Sequence, residues 1–149
     1  MSFPNLDSEH VAKSSIAKVM INNDVIFNIY GDVQILALTS ECYTANNSIA
    51  SRIKYIADTA HNGDTDISGL CTTLANAIIG TRVICDNTTL SSAPNVSVSG
   101  VSLNMDSRGI IVPTGAIKLG VTVGSTTGTW KHYIRWEPLE AGAYILPAF

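Results

Sequence analysis

Charge is what this sequence has least of. Only 14% of its 149 residues are Asp, Glu, Lys or Arg, against roughly a quarter in an ordinary soluble domain. A monomer relies on surface charge to stay dispersed, so this composition fits a chain whose exterior is partly covered by partner subunits. Basic clusters are missing as well. The densest basic stretch is Arg52 and Lys54, and the formal net charge is -3. Nucleic acid therefore has no electrostatic footprint to meet. Long apolar runs are absent: stretches such as Ile35 to Leu38 fall far short of the roughly 20 residues a membrane span needs. The start, Met1-Ser2-Phe3-Pro4-Asn5, lacks the basic-then-apolar pattern of a secretion signal. Neither a nucleic-acid nor a membrane partner is expected.

Paired cysteines are also lacking. Cys42, Cys71 and Cys85 are odd in number and widely spaced. Without a C-x-x-C pair, neither zinc nor a dithiol motif is indicated. Free, mostly buried thiols fit a protein made in a reducing cytoplasm. No phosphate-binding or dinucleotide-binding glycine motif occurs, and no G-x-S-x-G elbow. His10, His61 and His132 are scattered; His132 shares a face with Trp130 and Trp136, and a lone His in an aromatic patch, without an orienting carboxylate, is poor ground for catalysis. Asp58, Asp64 and Asp66 could offer oxygens to calcium, which takes six to eight. Yet their spacing is not that of a calcium loop, and Asn62-Gly63-Asp64 is ordinary turn chemistry. No catalytic residue, cofactor or metal is assigned, and the chain reads as a non-enzyme.

What the sequence does have is alternation. Val25, Phe27 and Ile29 alternate between the turn residues Asn22-Asn23-Asp24 and Gly31-Asp32, which reads as a strand. Val33 to Cys42 is apolar on both faces, as in a strand buried on both sides. Ser51, Ile53, Tyr55 and Ala57 alternate against Arg52 and Lys54, a half-exposed strand. Val83 to Cys85 and Ile110 to Val112 are short strands, the latter stopped by Pro113. Val96, Val98, Val101 and Leu103 suggest a hairpin around Gly100. Ile117, Leu119, Val121 and Val123 keep a clean period of two. The clearest strand sets Trp130, His132, Ile134 and Trp136 against Lys131, Tyr133, Arg135 and Glu137. One stretch differs: Leu70, Leu74, Ala77 and Ile78 have helical spacing, which predicts a short helix within 67–79 ended by Gly80.

Short strands at regular spacing with at most one helix predict an all-β fold, an antiparallel β-sandwich of jelly-roll-like form. Residues 15–149 form its single domain. The polar residues 1–14 read as an extended N-terminal arm reaching a neighbour.

The order of segments resembles a family of small virion structural proteins of tailed bacteriophages. Four passages carry the likeness. The first is Phe27-Asn28-Ile29-Tyr30-Gly31-Asp32-Val33-Gln34-Ile35. The second runs from Asp66-Ile67-Ser68-Gly69-Leu70-Cys71 through Ala75-Asn76-Ala77 to Gly80-Thr81. The third is Ile111-Val112-Pro113-Thr114-Gly115-Ala116-Ile117. The last joins Thr127-Gly128-Thr129-Trp130-Lys131 to Arg135-Trp136-Glu137-Pro138-Leu139-Glu140-Ala141-Gly142-Ala143. The likeness spans residues 25–145; the chain departs from it at Glu140-Ala141, where an acidic pair is commoner, and in its own arm. The resemblance implies a capsid decoration or cement protein on the virion surface, made in the host cytoplasm. It would bind the major capsid protein as a homo-oligomer, with a trimer favoured by closed symmetry. Phe3, Pro4 and Leu6 of the arm and Trp130, Tyr133, Arg135 and Trp136 of the aromatic strand are the expected contact residues, because aromatic residues and Arg dominate binding hot spots. The alternative is a head-fibre or tail component that binds a host receptor or glycan, which requires an exposed Trp130 or Trp136.

Overall fold

A computed structural model of the chain describes residues 10–61, 63–86, 92–97 and 109–149. Twelve strands are present among them: β1 (His10–Lys13), β2 (Lys18–Val19), β3 (Val25–Tyr30), β4 (Val33–Cys42), β5 (Arg52–Thr59), β6 (Gly63–Asp66), β7 (Arg82–Asp86), β8 (Asn95–Ser97), β9 (Ile110–Val112), β10 (Gly115–Thr122), β11 (Thr129–Pro138) and β12 (Tyr144–Pro147). The first sheet runs β1-β11-β4-β7-β8, with β2 also beside β11 and β9 beside β4. The second runs β12-β3-β10-β5-β6. Every pairing is antiparallel. The fold is thus the all-β antiparallel sandwich that alternation predicts.

The core lies between the sheets. Trp130, Ile134, Leu38 and Cys85 of the first sheet face Phe27, Ile29, Ile117, Leu119, Ile53 and Tyr55 of the second. Burying one such side chain contributes on the order of 1.5–3 kcal/mol. The alternation of β11 is perfect, each inward residue buried and each outward one half-exposed. β4 has a second cause beside the one its sequence suggests. A register shift opposite Arg135 and Trp136 changes the parity of β4 midway. Cys42, Ser40 and Leu38 pair with inward residues of β11 on one side of the shift, Ile35 and Val33 on the other. The bulge puts apolar residues at both parities, and Ala37, opposite the outward Arg135, is itself buried, so the middle of β4 is covered on both sides.

The short helix is a correction. No helix forms over residues 67–79. Their backbone donors go to other segments: Ile67 to Tyr55, Cys71 to Ile53, Leu74 to Ser51 and Asn76 to Asn47. Asn76 also has φ +59°, outside helical backbone. Leu74 and Ala77 are buried because this ribbon caps one end of the sandwich, so a packing pattern mimics a helical period.

At the N-terminus, His10–Lys13 pairs with Trp136 to Tyr133 of β11, on the chain's own sheet. Residues 1–9 lie outside the described residues. So do Val98, Gly100, Val101 and Leu103 of the expected hairpin, and Asn62 of the expected turn. Gly63 begins β6 with φ +68°, and the polar stretch 58–66 is mostly a β5–β6 hairpin.

Candidate contact face

The outward residues of β11 and its neighbours build an ordered polar and aromatic surface. Lys13 on β1 stands opposite Tyr133 on β11. Its ammonium lies 4.7 Å from the Tyr133 ring centre and 5.8 Å from that of Tyr43, and it donates to the Tyr43 hydroxyl at 3.2 Å. Lys131 lies 4.8 Å from the Tyr43 ring centre, and Arg82 lies 5.6 Å from that of Tyr133. Glu41 ties the group together. It accepts from Tyr133 at 2.7 Å and from Arg82 at 3.1 Å. The two tyrosines are thus fixed by cations and one carboxylate, and each cation–ring contact contributes about 0.5–1 kcal/mol at an exposed site.

The charges register this proximity. Hydrogen bonds to Tyr133 and Tyr43 raise the Lys13 pKa, and the Lys13 ammonium lowers that of Tyr43. Tyr133 is raised, first by its partial burial. Beside the tyrosines a shallow groove of about 190 Å³ runs over Val11, Ala37, Thr39, Arg82, Ile84, Asp86, Tyr133 and Arg135.

Of the contact residues read from the sequence, Tyr133 and Arg135 lie on this face. Trp130 and Trp136 do not: they are 0% and 5% exposed. The Trp130 indole N–H reaches Asn46 Oδ1 at 3.4 Å, and His10 stacks on Trp136 at 4.7 Å. Phe3, Pro4 and Leu6 lie outside the described residues. Lys13, Glu41, Tyr43 and Arg82 were not singled out by the sequence. Glu41 and Arg82 have the outward parity of their strands, and that parity is the signal that could have found them.

His132 enters the structure differently. Its Nδ1 lies 2.7 Å from Ser40 Oγ, and Ser40 Oγ lies 2.6 Å from Tyr55 OH. A Ser–His pair invites a catalytic reading, yet Ser40 and Tyr55 are fully buried and His132 is 1% exposed. No carboxylate orients the ring, and Nε2 has no hydrogen-bond partner among the described residues. Burial lowers the His132 pKa to about 3, so the ring is neutral. The group is closed off from solvent, and it links the two sheets through Ser40 and Tyr55.

The three aspartates are engaged by lysines. Lys54 pairs with Asp66 at 2.8 Å, and Lys118 with Asp64 at 2.8 Å and Asp58 at 3.7 Å. Among the described residues no group of His, Cys, Asp or Glu is placed to hold a metal ion, and no helix is long and apolar enough to cross a membrane. A cleft of about 410 Å³ lies at one end of the sandwich between the β5–β6 hairpin and β9, with His61 and Asp66 on its wall. Thr59 and Thr65 also line it.

No family model, no curated protein and no solved structure matches the chain.

Proposed function

We propose that this chain is a non-enzymatic structural subunit of a tailed-bacteriophage virion, a decoration or cement protein that binds the major capsid protein shell. One observation carries the reading. The outer face of the first sheet offers two tyrosines held in place by Lys13, Lys131 and Arg82, while the Ser40–His132 pair is sealed in the core. The molecule is equipped to adhere, and the Ser40–His132 pair is out of solvent's reach. The resemblance of residues 25–145 to small phage virion proteins supplies the assembly in which such a face would act.

The mechanism is adhesion. Tyrosine has few rotatable bonds, and here its partners already restrict them, so little entropy is lost on contact. Arg and Tyr at the centre of a contact carry most of its energy. Modest affinity repeated over a symmetric shell yields large total stabilisation, which resists the outward pressure of packaged DNA. The favoured form is a homo-oligomer, in particular a trimer, on the capsid surface and made in the host cytoplasm. The competing reading, a head-fibre or tail part that stacks sugars on Trp130 or Trp136, has no open indole face to use.

Quantitative mass spectrometry of virions purified from the phage that encodes the chain tests this directly. A shell protein is expected at on the order of hundreds of copies per virion, as the symmetry of a capsid demands. Absence from virions, or about a dozen copies, would overturn it.

A further inference from the structure

We infer that the outer face of the first sheet receives an extended acidic segment of its protein partner, laid along β4. The inference rests on the adhesive reading of that face and names the chemistry of what it holds.

The shape of the site follows from side-chain size. At mid-sheet the outward residues of β4 are short. Thr39 stands between Tyr133 of β11 and Ile84 of β7, and Ala37 stands between Arg135 and Asp86. Longer side chains on both flanks leave a trough over the strand, and the groove of about 190 Å³ beside the tyrosines is that trough. The backbones of its two walls are two strand spacings, about 10 Å, apart. Wall side chains fill part of that width, so the clear space suits one extended chain. A helix, about 10–12 Å across with its side chains, would ride on the rims.

Charge selects the occupant. The whole chain carries -3, yet this face presents Lys13, Arg82, Lys131 and Arg135. Its carboxylates are mostly engaged or withdrawn. Glu41 already accepts from Tyr133 and Arg82, and Asp86 is buried. Glu137 stands near the end of β11. Lys13 and Lys131 are different. Their ammoniums lie 5.8 and 4.8 Å from the centre of the one Tyr43 ring, and among the described residues no carboxylate forms an ion pair with either. The Tyr43 hydroxyl, which accepts from Lys13, still has its own proton to donate. A partner carboxylate beside Tyr43 therefore meets two ammoniums and a hydroxyl already held in place. Complementary charge of this kind speeds encounter and fixes register. Nucleic acid suits the face less well. Its unbroken row of phosphates would run past Asp86 and Glu137, whereas a protein segment sets its acids only where the cations stand.

Fluorescence anisotropy with the purified chain tests this. The probe is a fluorescein-labelled nonapeptide of alternating glutamate and threonine. Its glutamine–threonine counterpart and a labelled single-stranded oligothymidine of equal charge are measured beside it. At low salt the acidic peptide is expected to bind at least about tenfold tighter than the glutamine peptide, and the difference is expected to shrink at about 0.5 M NaCl. Lys131→Glu is expected to weaken the acidic peptide at least about tenfold and Lys13→Gln to weaken it less, while Lys54→Gln on the second sheet leaves it unchanged. Equal binding of the two peptides overturns the inference. So does no binding of the acidic peptide at about 1 mM, tighter binding of the oligonucleotide, or loss through Lys54→Gln with Lys131→Glu intact. The shell reading stands or falls separately. On the order of hundreds of copies per virion with both peptides binding alike keeps the shell role and sinks the acidic partner. Absence from virions with charge-selective peptide binding does the reverse.

Discussion

Tyr55 on one sheet and Ser40 on the other share a 2.6 Å hydrogen bond through the middle of the sandwich, and His132 completes the chain from the same side as Ser40. Burial pushes the Tyr55 pKa well above its usual 10, so its hydroxyl stays protonated. Removing it leaves Ser40 and His132 with one partner fewer in a dry interior. Tyr55→Phe is expected to cost about 1–3 kcal/mol in urea unfolding. A loss under about 0.5 kcal/mol would mean that the link is dispensable.

His132 gives the fold a specific acid sensitivity. Its folded pKa near 3 lies below the ordinary 6.5. Below pH 6.5 the unfolded chain takes up a proton that the folded one refuses. The stabilisation is therefore complete above about 6.5 and declines as pH falls toward 3, by at most about 1.4 kcal/mol per unit. Carboxylates also act in acid, so the readout is a difference between proteins. Between pH 6.5 and 4 the stability of His132→Gln is expected to fall less steeply than that of wild type. Parallel slopes would refute the assignment.

Tyr133 separates folding from adhesion. Its ring meets Lys13 and Arg82, and its hydroxyl meets Glu41, all on a surface where such contacts are each worth about 1 kcal/mol or less. Tyr133→Ala is expected to lower unfolding stability only slightly and to weaken binding to capsids at least about tenfold, measured by co-sedimentation. Equal binding by both proteins would move the contact elsewhere.

Gly128 is constrained by its neighbours. A Cβ there would overlap the Thr44 carbonyl oxygen and stand 2.6 Å from Asn46 Oδ1, closer than real Cβ contacts. Gly128→Ala should break the Asn46 bridge and cost upward of about 2 kcal/mol, seen as a lowered melting temperature.

The thiols offer a simple check on the core. Cys42, Cys71 and Cys85 are free and buried, and desolvation raises the pKa of both Cys42 and Cys71. Thiol reagents should label the native protein slowly and take up three equivalents on unfolding. Rapid labelling of the native state would contradict the burial.

β11 was legible because each of its residues obeys one rule, inward apolar and outward polar. β4 was legible as a strand but not in its facing, since the bulge that changes its parity arises from pairing with β11, nearly a hundred residues away. The ribbon 67–81 misled for a related reason. Its apolar spacing records which side chains cover the end of the sandwich, and local pattern cannot tell that from a helix turn. The contact face was half visible. Tyr133 and Arg135 could be read from β11 alone, whereas Lys13, Tyr43 and Arg82 join them only through sheet order. Trp130 and Trp136 were chosen for residue type, and their shared parity with Ile134 already pointed inward.

The seating of β11 between β1 and β4 sets a timetable for making the protein. On the ribosome, β4 emerges long before residues 129–138 exist to cover it. Until then one of its edges and its apolar side chains face the cytosol, ready to pair with another nascent chain. Yield should therefore depend on the pace of synthesis and on temperature more than on the stability of the finished fold.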